Sequence, residues 1–118
     1  MVQKILVTGG AGFVGSALAL AFKAACEDAA VTALDNLHRR GSELNLPRLA
    51  AGGVSFVHGD VRSAEDLDAC GPADLVVECS AEPSVLAGRD GAPGYVVDTN
   101  LGGAVRCLEH ARRHGAAM

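Results

Sequence analysis

Short apolar runs alternate along the chain with segments in which apolar and polar residues mix. Four of these runs are rich in β-branched residues and are bounded by glycine or polar residues, which predicts buried strands. The fourth run is continuously apolar, as is typical of a parallel strand covered on both faces. The predicted strands cover residues 3–7, 30–34, 54–58 and 73–80, and the second one ends at Asp35.

The segments between the strands carry the spacing of helices. A first amphipathic helix starts at Phe13, and a short one over residues 42–51 is bent around Pro47. Ser63 is a suitable N-cap for a third helix, with Asp66 in its acidic first turn. A long helix is predicted over residues 95–114, and Gly115 ends it as a C′ residue. Its apolar stripe is Leu101, Val105, Leu108 and Ala111.

This alternation of strands and helices predicts an α/β fold with a parallel sheet and right-handed crossovers. We expect a Rossmann-type doubly wound parallel sheet with strand order 3-2-1-4, formed by a single domain over residues 1–118. The sheet would be incomplete, with the outer edge of the fourth strand unpaired, because the final residues "GAAM" stand where a fifth strand would begin.

Composition narrows the possible functions. About half of the 118 residues are apolar (49%) and 20% are charged, which is typical of a globular domain. The net charge of −4, one Tyr and no Trp give no reason to expect a nucleic-acid partner. The four cysteines form no C-x-x-C pair, so neither a disulfide framework nor a metal site is expected. No signal peptide or membrane span is recognisable, and the cytoplasm is the expected location.

A glycine-rich loop follows the first strand. Gly9, Gly12 and Gly15 have the spacing G-x-x-G-x-x-G and precede a helix, and Asp35 lies twenty residues beyond Gly15. These glycines would allow a tight turn, close approach to a pyrophosphate and close packing of helix on strand. The carboxylate at the end of the second strand would accept hydrogen bonds from the adenosine ribose. The alternative for the glycines alone is an ordinary tight turn.

Asp35 also bears on the choice of coenzyme. A 2′-phosphate beside this carboxylate would meet a like charge, which favours NAD over NADP. Arg39 and Arg40 follow closely and are able to pair with a phosphate, although such a pair also suits a solvated loop or a contact with the adenine or the pyrophosphate. We therefore expect NAD as the cofactor, with Arg39 among the residues near it.

Together, "TGGAGFVGS", "LDN", "GDVR" and "NLGGAVRCLEHAR" resemble the extended short-chain dehydrogenase/reductase superfamily, the nucleotide-sugar epimerases and dehydratases. More narrowly, "DNLHRRGSELNLPRL" and "ECSAEPSVLAG" resemble its CDP-paratose (CDP-tyvelose) 2-epimerase branch. The resemblance implies that the chain is the NAD-binding N-terminal portion of a longer epimerase or dehydratase. It also implies a nucleotide-sugar substrate for the complete protein, and self-association as a homodimer through the helix at residues 95–114.

The resemblance assigns roles to matching positions. Asp60 would accept a hydrogen bond from the adenine amino group, although from the residues alone it is also a turn residue after Gly59. Asn100 would help to order the active site, although without the resemblance it is an ordinary polar residue of a helix. The other implied contacts are Gly9, Gly12, Phe13, Val14 and Gly15 with the pyrophosphate, Asp35 and Asn36 with the adenosine ribose, Val61 with the adenine, and Cys79, Ser80 and Ala81 with the nicotinamide ribose.

Two departures from the family pattern affect function. Many relatives have "H-x-A-A" at the end of the fourth strand, where this chain has Glu78, expected to be a structural carboxylate rather than one facing the substrate loop. Members of the family use a Tyr and a Lys four residues later to remove a hydroxyl proton while hydride leaves for NAD. The one tyrosine here, Tyr95, is followed four residues later by Thr99, so no catalytic residue is assigned.

Three functional hypotheses follow from these observations. The chain is part of an NAD-dependent nucleotide-sugar epimerase and inactive by itself, or a stand-alone NAD-binding module without catalysis, or a fragment of a sugar dehydratase or an NADP-linked reductase. A reading frame that continues past Met118 with a Tyr-x-x-x-Lys sequence would separate the first hypothesis from the second.

Overall fold

A computed structural model of the chain describes residues 2–84, 86–89 and 91–118. Val85 and Asp90, which belong to the loop predicted after the fourth strand, lie outside the described residues. Four parallel strands form one sheet in the order β3-β2-β1-β4, which confirms the predicted Rossmann-type topology. The strands are β1 (Lys4–Thr8), β2 (Ala30–Asp35), β3 (Ser55–His58) and β4 (Leu75–Glu78).

Helices and turns connect the strands. A 3₁₀ turn at Ser42–Asn45 leads directly into α2 (Leu46–Ala51), whose start tolerates Pro47 because the first helical turn needs no hydrogen bond from that residue's nitrogen. Ser63 caps α3 (Ala64–Ala69), since its Oγ accepts a hydrogen bond from the Asp66 amide at 3.3 Å. The helices are α1 (Phe13–Ala25), α2 (Leu46–Ala51), α3 (Ala64–Ala69), α4 (Gly94–Val97) and α5 (Gly103–His114).

The prediction of one continuous helix over residues 95–114 is wrong in one respect. A π-helical turn, Asp98–Gly102, separates α4 from α5. Such a turn keeps every residue helical and inserts only a local change of register, so the apolar spacing in the sequence does not reveal it. The helix ends as predicted at Gly115, which adopts a left-handed conformation with φ of 64°.

Apolar residues cover the sheet on both faces. Alternate residues of β1 point to opposite sides, so Ile5 and Val7 pack in the cluster that includes Ala19 and Leu49, whereas Leu6 packs in the other cluster. That second cluster contains Leu34, Leu67, Val76 and Cys107. All four cysteines are free, and Cys107 is fully buried.

The outer edge of β4 is partly covered by the end of the chain. The Ala117 amide donates to the Asp74 carbonyl at 2.9 Å, and the Val76 amide donates to the Ala117 carbonyl at 2.8 Å. The expectation that this edge is wholly unpaired is therefore wrong at its first residues. These hydrogen bonds lie beside Leu75 and Val76, at the start of β4.

Candidate functional site

The glycine loop brings the end of β1 against the end of β4. Gly9 has a φ of 63°, and a Cβ atom there would lie 2.5 Å from the Cys79 carbonyl oxygen. A Cβ atom on Gly15 would overlap the carbonyl oxygen of Gly9, because α1 starts directly on the loop. Glycine is thus required at both positions by backbone contacts, and the loop packs without any side chain in its way.

The start of α1 carries no capping side chain. Gly12 is the N-cap and supplies no side-chain acceptor, and the first turn contains no acidic residue. The amide groups there and the helix dipole together favour a bound anion. Phe13 and Val14 are 93% and 57% exposed and border the space in front of this helix end.

Asp35 connects the ends of β1 and β2. Its Oδ2 accepts a hydrogen bond from the Ala11 amide at 3.0 Å, and its Oδ1 accepts one from the Leu37 amide at 2.8 Å. Leu37 has a φ of 57° and is the one non-glycine residue with a positive φ in the described part of the chain. A left-handed leucine is uncommon, and such strain is concentrated at functional sites.

Asp60 is held in a network at the end of β3. Its Oδ1 accepts bonds from the Arg62 amide and Nε, and its Oδ2 accepts bonds from Arg62 Nη2 at 2.7 Å and Asn36 Nδ2 at 3.0 Å. The Arg62 guanidinium holds the pKa of the Asp60 carboxyl well below its usual range. Four accepted hydrogen bonds occupy the whole capacity of a carboxylate, so a bond from an adenine amino group to Asp60 would have to replace one of them.

The end of β4 carries a carboxylate that the loop around it uses. Glu78 Oε1 accepts a hydrogen bond from the Thr8 hydroxyl at 3.1 Å and another from the Ser80 amide at 2.6 Å. Glu78 also borders the same open space as Cys79 and Ser80. Burial raises the pKa of the Cys79 thiol. Glu78 thus has a structural role in the strand-end turn, whatever it does toward a ligand.

Asn100 and Thr99 are neighbours with different surroundings. Asn100 is exposed, and its Oδ1 accepts a hydrogen bond from the Glu82 amide at 2.7 Å, which orders the loop after β4. Thr99 is 6% exposed, and its hydroxyl has no hydrogen-bond partner among the described residues. The π-helical turn places Thr99 at the wall of the open space. Sequence reasoning missed Thr99, because nothing in the helical spacing distinguishes it.

These groups surround one cleft of about 690 Å³ at the carboxyl ends of the strands. It lies where the chain order reverses between β1 and β4, the position at which open α/β sheets bind ligands. Of the residues predicted to contact the coenzyme or order the active site, all except Asn100 border this cleft, and Arg40 does not border it either. Those that border it are Gly9, Gly12, Phe13, Val14, Gly15, Asp35, Asn36, Arg39, Asp60, Val61, Cys79, Ser80 and Ala81. His38, Glu82, Tyr95 and Thr99 border it too and were not predicted.

Comparison with known proteins identifies the family. The profile of the NAD dependent epimerase/dehydratase family matches residues 5–118. The chain belongs to this family. It is 32% identical over 118 residues to the CDP-paratose 2-epimerase of Salmonella typhi, covering 97% of this chain and 34% of that protein. It is 40% identical over 119 residues to the dTDP-glucose 4,6-dehydratase of Streptomyces antibioticus, covering 96% of this chain and 35% of that protein.

A solved relative has the same fold. The dTDP-glucose 4,6-dehydratase of Streptomyces venezuelae, crystallised with NAD bound, superimposes with a TM-score of 0.80 and 34% identity over 97% of this chain and 37% of that one. The chain thus spans about a third of the length of the relatives it matches. Among the described residues there is neither a helix long and apolar enough to cross a membrane nor a cluster of side chains suited to hold a metal ion.

Proposed function

We propose that the chain binds NAD as the N-terminal coenzyme-binding part of a nucleotide-sugar epimerase or dehydratase. The observation that carries this proposal is the convergence of the glycine loop, Asp35 and Val61 on one cleft at the switch point of the sheet. A dinucleotide needs an anion site for its pyrophosphate and an acceptor for its ribose hydroxyls in that order along the cleft.

The residues present fit this coenzyme. The uncapped start of α1 behind Gly12 suits the pyrophosphate, and the absence of a Cβ on Gly9 and Gly15 keeps the loop backbone open to it. Asp35 uses one acceptor position on each oxygen within the protein and keeps others for the ribose. The orphaned hydroxyl of Thr99 supplies a further group for a ligand in the cleft.

Bound NAD would supply a hydride acceptor. The proton of the substrate hydroxyl would then need a base, and Tyr95 does not suit this task because it packs beside His38 and Arg62 rather than a lysine. A positioned general base contributes about 10²–10⁴-fold to the rate. The 118-residue chain by itself therefore binds coenzyme without turning over a sugar nucleotide.

The resemblance of "DNLHRRGSELNLPRL" to the CDP-paratose 2-epimerases supports a 2-epimerisation of a nucleotide sugar as the reaction of the complete protein. In this reaction, the sugar carbon would be oxidised to a ketone and reduced again from the other face. The 40% identity to a dTDP-glucose 4,6-dehydratase supports sugar dehydration as the second candidate.

Calorimetric titration of the purified chain with NAD tests the binding proposal. We expect saturable binding that Gly12→Asp abolishes, because an aspartate at the N-cap would place a negative charge where the pyrophosphate belongs. Val97→Ala, on the exposed side of α4, is the control and should bind as the wild type does.

A separate test concerns turnover. Incubation of the chain with NAD and CDP-paratose should give no epimer. Turnover that disappears with Tyr95→Phe would contradict the conclusion that Tyr95 is not a catalytic base.

A further inference from the structure

The carboxylate of Asp60 borders the cleft with its acceptor positions already filled. Its Oδ1 accepts hydrogen bonds from the Arg62 amide at 2.9 Å and from Arg62 Nε at 3.0 Å. Its Oδ2 accepts one from Arg62 Nη2 at 2.7 Å and one from Asn36 Nδ2 at 3.0 Å. A carboxylate has about four lone-pair sites. The described residues therefore use all of them, and a donor from a ligand finds no free acceptor position on Asp60.

The donors to Asp60 are themselves held in place. The Arg62 guanidinium binds Asp60 as a two-pronged fork, a charge-assisted arrangement stronger than a bond between neutral groups. Its guanidinium carbon also lies 4.9 Å from the centre of the Tyr95 ring. Asn36 is held from its other end, because its Oδ1 accepts a hydrogen bond from the His38 amide at 3.0 Å. Movement of either donor away from Asp60 would thus break further contacts.

This network lies where the topology places the base of a dinucleotide. Asp60 and Val61 follow β3, and the half of the sheet formed by β1, β2 and β3 holds the adenosine part of a bound dinucleotide. The resemblance to the family makes Asp60 the expected acceptor for the adenine amino group. That bond would have to displace one from Arg62 or Asn36. Such an exchange leaves a protein donor unpaired and gives no net gain in hydrogen bonding.

We propose that Arg62 occupies the Asp60 carboxylate and thereby prevents it from recognising the base, so that the cleft does not select for the adenine amino group. The inference rests on the proposed binding of NAD. Because the carboxylate and the guanidinium form a mutually neutralising pair, an oxygen in place of the amino group meets no unpaired negative charge there. The chain should therefore bind nicotinamide hypoxanthine dinucleotide, in which that replacement is made, about as tightly as NAD.

Titration calorimetry of the wild type with the two dinucleotides tests this expectation directly. A hydrogen bond from the amino group to a free carboxylate would favour NAD by roughly tenfold to a hundredfold. We expect instead that the two dissociation constants differ by less than about threefold. A wild-type preference for NAD of about tenfold or more would overturn the inference.

Arg62→Met tests the cause. The substitution keeps a long side chain beside Tyr95 but removes the two guanidinium donors, so each Asp60 oxygen regains one acceptor position. We expect this variant to prefer NAD over the hypoxanthine dinucleotide by about tenfold or more. Arg112→Met is the matched control, because Arg112 binds Glu109 through its own Nε and Nη2 and does not border the cleft. The control should treat the two dinucleotides as the wild type does.

The outcomes separate this inference from the proposed function. Equal binding of the two dinucleotides by a folded Arg62→Met protein would show that Arg62 does not block Asp60, and would overturn the inference while leaving NAD binding intact. Circular dichroism establishes whether the variant folds, and the wild-type ratio decides the question if it does not. A wild type that binds neither dinucleotide would instead overturn the proposed function itself.

Discussion

The Oδ2 atom of Asp35 accepts a hydrogen bond from the Ala11 amide at 3.0 Å, so one carboxylate joins the glycine loop to the end of β2. Its other oxygen is bound by the Leu37 amide. Asp35 consequently has two roles: its hydrogen bonds hold the shape of the loop, and its negative charge stands beside the expected ribose site. Experiments can separate the two roles. Asp35→Asn removes the charge and keeps one acceptor oxygen, whereas Asp35→Ala removes the charge and both acceptors, so the two variants distinguish these roles.

We predict that the wild type binds NAD at least about tenfold more tightly than NADP, a difference of about 1.4 kcal/mol. The reason is repulsion between the Asp35 carboxylate and a 2′-phosphate. Asp35→Asn should narrow this preference and leave one of the Ala11 and Leu37 amides without its acceptor, whereas Asp35→Ala should lower the Tm further because both amides lose their acceptor. Titration calorimetry and thermal unfolding measure the two effects. Equal affinity of the wild type for both coenzymes would refute the charge argument.

A second prediction concerns Gly15. A Cβ atom added to Gly15 would overlap the Gly9 carbonyl oxygen. Gly9 itself packs closely against the backbone of Cys79, so it has little room to move away. Gly15→Ala should therefore destabilise the chain by about 1–3 kcal/mol, as overpacking does. Gly94→Ala is the matched control, because nothing lies within 4 Å of a Cβ atom there. Urea unfolding gives both values, and a Gly15→Ala variant as stable as Gly94→Ala would show that the loop relaxes freely.

Local chemistry explains why much of the fold was predictable. Ser63 caps α3 and Gly115 takes a positive φ, and both follow from what those residue types do in any chain. The sheet order follows from alternating strands and helices and the handedness of their crossovers. The glycine loop and Asp35 could be placed at the cleft because their expected roles depend on spacing, whereas Val61, Cys79 and Ser80 were implied by the resemblance to the family.

The remaining features depend on contacts between segments far apart in the sequence. The four bonds accepted by Asp60 require Asn36 from another strand end. The orphaned hydroxyl of Thr99 depends on a π-helical turn, and the stacking of Tyr95 depends on where His38 is held. The fourth strand ends at Glu78 rather than at residue 80 because Glu78 accepts the Ser80 amide and closes a turn. No periodicity in the sequence reports such contacts.

We also predict that the chain self-associates. Four apolar side chains on α4, the π-helical turn and α5 are more than half exposed, and β4 keeps part of an open edge. Leu101→Lys combined with Leu108→Lys should shift the mass measured by light scattering toward the monomer. Leu44→Lys, which replaces a leucine that is even more exposed and lies elsewhere, should leave it unchanged. A monomeric wild type at high concentration would contradict the prediction. The four side chains are Val97, Leu101, Val105 and Leu108.

His110 is a buried titratable residue of α5, on the side of the helix that faces Asp68 of α3. It is 1% exposed, and its Nε2 donates to the Gly71 carbonyl at 3.2 Å. Its Nδ1 has no hydrogen-bond partner among the described residues and lies 3.8 Å from Oδ1 of Asp68, a carboxylate that is paired with Arg113. Burial lowers the pKa of His110 below its ordinary value of 6.5, and the nearby charges of His114 and Arg113 lower it further.

This lowered pKa predicts that stability falls in mild acid. Above the unfolded pKa of about 6.5 the histidine is neutral in both states, and its full contribution to folding is present. As the pH falls below that value the unfolded chain binds a proton that the folded chain takes up only at lower pH, so the free energy of unfolding decreases. Urea unfolding between about pH 8 and about pH 5 should show a steeper loss for the wild type than for His110→Leu. Parallel curves for the two proteins would mean that His110 protonates as readily in the fold as outside it.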